Sequence, residues 1–225
     1  MMNIQPIAHF RSPLTTKFGI PRQSGIISSL RGTIVFEKQY QDPEALRGLD
    51  GFDYIWIIWG FSENVDARKH STVRPPRLGG NVRQGVFATR SPFRPNAIGL
   101  SCVELLGVEL HTPQGPVLTV GGADLLDGTP IYDIKPYLPH ADCHPEATGG
   151  FAAEKAGYAL SVSCPPALLA RIPEDKRSVI LELLAQDPRP SYQSDPQRVY
   201  GMTYGGCNVR FTVADGVLTV CGVGE

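Results

Sequence analysis

Between Ala67 and Val103 the chain carries no aspartate or glutamate, yet it holds Arg68, Lys69, Arg74, Arg77, Arg83, Arg90, Arg94 and His70. On a protein of formal net charge −1, such a local cationic face is what an anionic ligand selects. The arginines sit among rigid turns. In Thr72–Gly80 (TVRPPRLGG) two guanidinium forks flank a Pro-Pro pair that fixes their directions, a geometry suited to phosphate or carboxylate. In Gly85–Ser101 (GVFATRSPFRPNAIGLS) Arg90 and Arg94 stand on a loop pinned by Pro92 and Pro95. There Asn96 tolerates an unusual turn geometry and Gly99 permits close approach to the backbone. Lys17–Gln23 (KFGIPRQ) offers a guanidinium and an amide on one loop, although the same residues also make an ordinary surface turn.

A fourth segment, Ala123–Asp142 (ADLLDGTPIYDIKPYLPHAD), passes through a tight turn at Asp127, Gly128, Thr129 and Pro130 and on into Ile131. Beyond it Asp133, Lys135 and Tyr137 alternate and so face one way. An acid, an amine and a phenol in that order can move protons, and Asp133 is the candidate base with Tyr137 in reserve. Arg74, Arg77, Arg83 and Arg94 are suited to the phosphates and carboxylate of a polyanionic substrate; the plainer alternative is that they balance the acids beyond Glu104.

Familiar signatures are missing. There is no GxGxxG after a strand, no GxxxxGK[ST] and no GxSxG, so neither a Rossmann nucleotide fold nor a phosphate-binding loop is supported. His140, Asp142 and His144 alternate and would serve a metal-dependent hydrolase, but they fall in a polar loop, and no metal is expected. The five cysteines are scattered without a CxxC pair, which argues against disulfides and zinc and leaves each as a small buried hydrophobe. No apolar run reaches membrane length and MMNIQPIAHFRSP is not a signal peptide, so a cytoplasmic protein is expected.

The elements that must position these loops read as strands. Asn3–Phe10, Arg31–Lys38, the aromatic run Tyr54–Gly60 (suited to burial on both faces), Val82–Thr89, Leu100–Leu110 and Val117–Val120 follow one another with only a short helix at Asp42–Leu49. This spacing predicts a mainly β protein with a closed or nearly closed N-terminal barrel. The texture changes after Pro139. A barrel domain over 1–145, a linker over 146–157 and a small α+β domain over 158–225 are expected. The last contains a helix at Glu174–Gln186 and a hairpin turning at Asp215-Gly216.

RPPRLGG, GVFATRSPFRPNAIGLS, LLDGTPIYDIKPYLP and the later QDPRPSY (186–192) together resemble the TrmO family of tRNA methyltransferases, formerly grouped as YaeB/TsaA-like proteins. The resemblance implies a barrel that binds S-adenosylmethionine without a Rossmann fold. It implies methylation of N6 in the threonylcarbamoyl-modified adenosine at position 37 of tRNA, by a homodimer. It assigns donor binding to Pro21, Arg22 and Gln23, to Arg90 and Leu100, and to the turn Asp127, Gly128, Thr129, Pro130 and Ile131. Phe61-Ser62-Glu63 stands where that family often has a Phe-His pair, so Ser62 and Glu63 are also expected at the donor, and Asp133, Lys135 and Tyr137, in its DIKPY segment, are expected to be catalytic. RNA contacts fall to Arg74, Arg77, Arg83, Arg94 and Asn96. Without catalysis, the same residues describe a non-catalytic RNA- or nucleotide-binding barrel.

Overall fold

The computed structural model describes residues 3–64, 70–75, 82–155, 157–190, 193 and 195–224. Arg77, Arg68, Lys69 and the Leu78–Gly80 portion of the arginine motif lie outside them. Six strands close into a barrel: β1 (Ala8–Arg11), β2 (Arg31–Phe36), β3 (Tyr54–Gly60), and, after the two-residue strands β4 (Thr72–Val73) and β5 (Gln84–Gly85), β6 (Ile98–Glu109), β7 (Val117–Gly121) and β8 (Pro130–Pro136). The order around the barrel is β1-β2-β7-β6-β3-β8, every pair antiparallel, with β8 returning to β1 through Ala8 opposite Ile131. Closure leaves no unpaired edge.

Alternation explains what fills it. Ile55, Ile57 and Trp59 point inward from β3 to meet Phe10, Ile34, Val103, Leu118, Val120 and Ile131 in one apolar cluster. The β3 run is therefore buried on one face and half-covered on the other, rather than buried on both as its composition suggested. Gly32 faces inward beneath the ring of Phe10, where even a Cβ would collide with the ring edge and the Arg11 carbonyl.

The second unit has a four-stranded sheet, β10-β11-β12-β9, in which β9 (Ser161–Ser163) runs parallel to β12 (Val217–Gly224). β10 (Tyr200–Tyr204) and β11 (Cys207–Ala214) continue it as antiparallel neighbours. The helices are α1 (Pro139–Asp142), α2 (Pro166–Leu169) and α3 (Glu174–Ala185). α3 buries Val179, Ile180, Leu183 and Leu184 against the sheet. The hairpin turns at Asp215 and Gly216, both with positive φ.

Three local expectations changed. Asp42 caps as predicted, its carboxylate accepting from Glu44 N, but only a 3-10 turn over Pro43–Leu46 follows. Val82–Thr89 pairs only at Gln84–Gly85 and then coils into a 3-10 turn over Val86–Ala88, because β4 offers just two residues to pair with. Of the cysteines only Cys207 is buried; Cys143 and Cys221 are exposed.

The connection between β1 and β2 belongs to neither sheet. Leu14, Ile27 and Leu30 enter the apolar core of the C-terminal sheet, with Phe18, Ile20 and Ile26 packed against it. Gly205 N donates to Pro13 O at 3.0 Å, closing the join.

Replacing Gly32 by alanine overfills the barrel and is expected to cost about 2 kcal/mol, a fall of roughly 4–8 °C in Tm for a chain of this size. Thermal unfolding followed by circular dichroism measures it, and an unchanged Tm would show that the Phe10 ring has room to retreat.

Candidate active site

One end of the barrel opens into a cavity of about 1440 Å³. Its floor is where β3 leaves (Trp59, Gly60, Phe61), β6 begins (Ile98, Gly99, Leu100), β7 has just ended (Asp124, Leu126) and β8 is about to start (Thr129). Cavities that enclose one small ligand run to roughly 300–1,000 Å³. This one is larger than that range.

At its base is a chain of polar groups. The Trp59 indole Nε1 donates to Ser101 Oγ at 3.0 Å, and that hydroxyl donates to Asp124 Oδ1 at 2.6 Å. Gly99 makes the arrangement possible, since any Cβ there would strike the Trp59 ring. Burial is the main influence on the Asp124 carboxyl and pushes its pKa above the ordinary carboxylate value. The Ser101 hydroxyl, its own and the Ser24 backbone N–H, and the Arg90 charge pull the other way without prevailing. A half-buried acid beside a cationic group, facing a cavity, has the environment of a functional carboxylate. The ring of Phe61 meets Trp59 edge-on at 4.4 Å, giving the floor an aromatic wall.

One flank is the loop holding Pro21, Arg22 and Gln23. Gly19, at φ +95°, lies against Met202 of β10, and the positive φ turns the chain into this loop. Arg22 donates to the Asp187 carbonyl at 3.4 Å, and Arg90 Nη1 donates to Gln23 Oε1 at 2.5 Å, so this loop and the Arg90 loop meet. Asp187 itself has φ +52° and takes a two-pronged ion pair from Arg189. Burial would raise the Asp187 pKa, but the hydrogen bonds and charge of Arg189 hold it below the usual range. The other flank carries Ser62 and Glu63, the latter joined to Lys17, whose Nζ donates to the Glu63 carbonyl at 2.8 Å.

The cavity thus gathers Pro21, Arg22, Gln23, Ser62, Glu63, Arg74, Arg83, Arg90, Arg94, Leu100 and Thr129. Arg83 donates to Thr72 Oγ1 and Arg94 to the Thr89 carbonyl, so both forks are held. Several residues singled out in the sequence are not brought here. Asp127 accepts from Ser12 N at 3.0 Å and lines a separate shallow cleft with Arg11 and Arg31. Gly128, at φ +77°, donates to the Phe10 carbonyl; the turn knits β8 to β1, and Pro130 and Ile131 already belong to the β8 strand. Exposed Asn96 uses its carbonyl to accept from Ile98 N.

Asp133, Lys135 and Tyr137 also lie outside the cavity. Ile131 and Ile134 pair with the inward-facing Trp59 and Ile57, so Asp133 and Lys135 pair with Ile58 and Trp56 on the outer wall. There Lys135 Nζ sits 2.8 Å from Asp133 Oδ2, and Tyr137 packs beside Tyr54 and Trp56. Asp142, once a metal candidate, accepts from the Trp56 indole and from Leu138 N. Among the described residues no three His, Cys, Asp or Glu side chains are grouped to hold a metal.

Asp124 is the residue that sequence reasoning passed over. Its one local signal is the Gly121-Gly122 pair ahead of it, where Gly122 has φ +70° and packs against Gly25, bringing the Ser24 segment within reach.

A small closed antiparallel barrel with a basic, aromatic-floored cavity at one end is a ligand-handling barrel, built without the parallel sheet of nucleotide-binding α/β folds. The family described as "tRNA-methyltransferase O N-terminal domain" matches residues 9–143, and "TrmO C-terminal domain" matches 160–225. The chain belongs to this TrmO family. It is 41% identical over 220 residues to the Escherichia coli protein named tRNA (adenine(37)-N6)-methyltransferase, covering 94% of this chain and 93% of that one. It is 41% identical over 207 residues to a Pseudomonas aeruginosa protein named "Putative S-adenosylmethionine-dependent methyltransferase RcsF", covering 89% and 87%. A structure described as "Crystal structure of TrmO" superposes over the full length of both chains with a TM-score of 0.80 at 31% identity.

Because the folded Asp124 carboxyl binds its proton more tightly than the unfolded one, its contribution to stability is lost as pH rises from the ordinary carboxylate value through the folded pKa. Asp124→Asn keeps an acceptor for Ser101 and removes that loss. Calorimetry is expected to show the variant gaining in Tm over the native protein at pH 8 relative to pH 4. An equal difference at both values would mean that the carboxyl is not perturbed.

Proposed function

We propose that this protein transfers a methyl group from S-adenosylmethionine to N6 of the threonylcarbamoyl-modified adenosine at position 37 of tRNA. The observation that carries the reading is the cavity itself. It sets an acid, two guanidinium-bearing loops and an aromatic wall at one barrel end, in a chain of the TrmO family. The groups present suit the donor: Asp124 faces a cation, Arg22 and Arg90 a carboxylate, and Trp59 and Phe61 a flat heterocycle. No helix among the described residues is long and apolar enough to cross a membrane, and we place the reaction in the cytoplasm, with the tRNA.

S-adenosylmethionine brings the methyl already activated on a sulfonium. The chain's task is alignment, where positioning alone lowers the barrier by roughly 7–11 kcal/mol. Pro21, Gln23, Arg90, Leu100 and Thr129 shape the donor side, and Arg74, Arg83 and Arg94 meet phosphates and the threonyl carboxylate. The carbamoyl group drains the N6 lone pair, so loss of the N6 proton must accompany attack. Asp124, the acid in the cavity wall, takes that proton on a carboxylate oxygen. A partner subunit is part of this reading. Tyr54, Leu106 and Leu138 leave exposed apolar surface on the barrel and its C-terminal edge, and Asp133, Lys135 and Tyr137 contribute from that outer wall to a homodimer.

Incubation with S-adenosylmethionine and tRNA bearing threonylcarbamoyladenosine, followed by nucleoside mass spectrometry, is expected to show one added methyl on that nucleoside. Methylation elsewhere, or none with RNA still bound, would leave a binding protein instead. Arg74→Ala is expected to reduce the slope of log K against log salt for tRNA by about one; an unchanged slope would remove Arg74 from phosphate contact.

A further inference from the structure

The lip of the cavity carries an aromatic ring that the fold does not use. Phe87 is 78% exposed, whereas its neighbour Val86 is buried. The exposure is built in. Val86 N donates to the Ser71 carbonyl at 2.9 Å, and Thr89 closes the 3-10 turn onto the Val86 carbonyl through both its N–H and its hydroxyl. The turn therefore holds the Phe87 ring out over the opening. Phe93, which lines the same cavity and is 39% exposed, meets the His70 ring edge-on at 6.1 Å, and His70 N donates to the Phe93 carbonyl. Arg74, Arg83 and Arg94 line the same cavity as these rings.

Aromatic faces interleaved with arginines form a surface for unpaired nucleotides, the rings taking bases and the guanidinium groups the phosphates between them. A duplex offers no free base face to such a ring. We propose that Phe87 is a stacking platform for an unpaired base beside the target adenosine, so that the lip selects single-stranded loop RNA before any chemistry occurs. This rests on the reading of the protein as a tRNA methyltransferase and adds to it how the substrate is held.

The test compares native protein, Phe87→Ala and Phe87→Trp by fluorescence anisotropy. The probes are a short RNA hairpin with an unpaired adenosine-containing loop and a fully paired RNA of equal length. Phe87→Ala is expected to lose about tenfold in affinity for the hairpin and none for the duplex, while Phe87→Trp stays close to native. S-adenosylmethionine affinity by calorimetry and oligomeric state by sedimentation should not move. Hairpin binding that survives Phe87→Ala, an equal loss on the duplex, or a shift in oligomeric state would overturn the proposal. Loss confined to the hairpin, in a protein that methylates no tRNA, would instead uphold the platform and sink the assigned reaction.

Discussion

The structure turns on a short run of hydrogen bonds at the barrel's open end, from the Trp59 indole to Ser101 and on to Asp124. Buried polar groups are tolerable only when each is satisfied, and here three chain segments satisfy one another: the end of β3, the first part of β6 and the exit from β7. Trp59 and Asp124, the two ends of this run, both line the cavity. Asp124 itself is half-buried and faces the cavity.

A second dependence runs between the two units. The loop bearing Pro21, Arg22 and Gln23 takes its shape from the C-terminal unit: Leu14, Ile27 and Leu30 sit in that unit's core, Gly19 rests on Met202, and Arg22 reaches the Asp187 carbonyl. The Asp187–Arg189 pair holds the far end of that contact. One wall of a cavity at the barrel end is thus fixed by residues nearly two hundred positions away, and the C-terminal unit is as much a part of the site as the barrel strands.

Much of this was legible in the residues. The aromatic run Tyr54–Gly60, the alternation in Leu100–Leu110 and the β-branched residues of Arg31–Lys38 pointed to strands, found at Tyr54–Gly60, Ile98–Glu109 and Arg31–Phe36; their spacing pointed to a barrel, and the rigid arginine loops line the cavity. What escaped depends on long-range geometry. Alternation showed that Asp133 and Lys135 face the same way but not which way. The choice is made by Ile131 packing inward and by the irregularity between Ile58 and Trp59 where β3 pairs with β8. Asp124 lies in the Ala123–Asp142 segment with only the Gly121-Gly122 pair beside it as a signal, because Ser101, Ser24 and Arg90, which close around it, come from distant parts of the chain. The apolar residues between Leu14 and Leu30 follow no period, so the core they join could not be read from their spacing.

Burial raises the pKa of the Asp124 carboxyl, and titration of that carboxyl with and without S-adenosylmethionine tests most directly whether it faces the donor's cation. Carbon-13 NMR of the labelled carboxyl should give a pKa above the ordinary aspartate value in the free protein. Addition of S-adenosylmethionine should lower it, because a nearby positive charge favours the ionised form. An ordinary value, or one indifferent to the donor, would contradict the account.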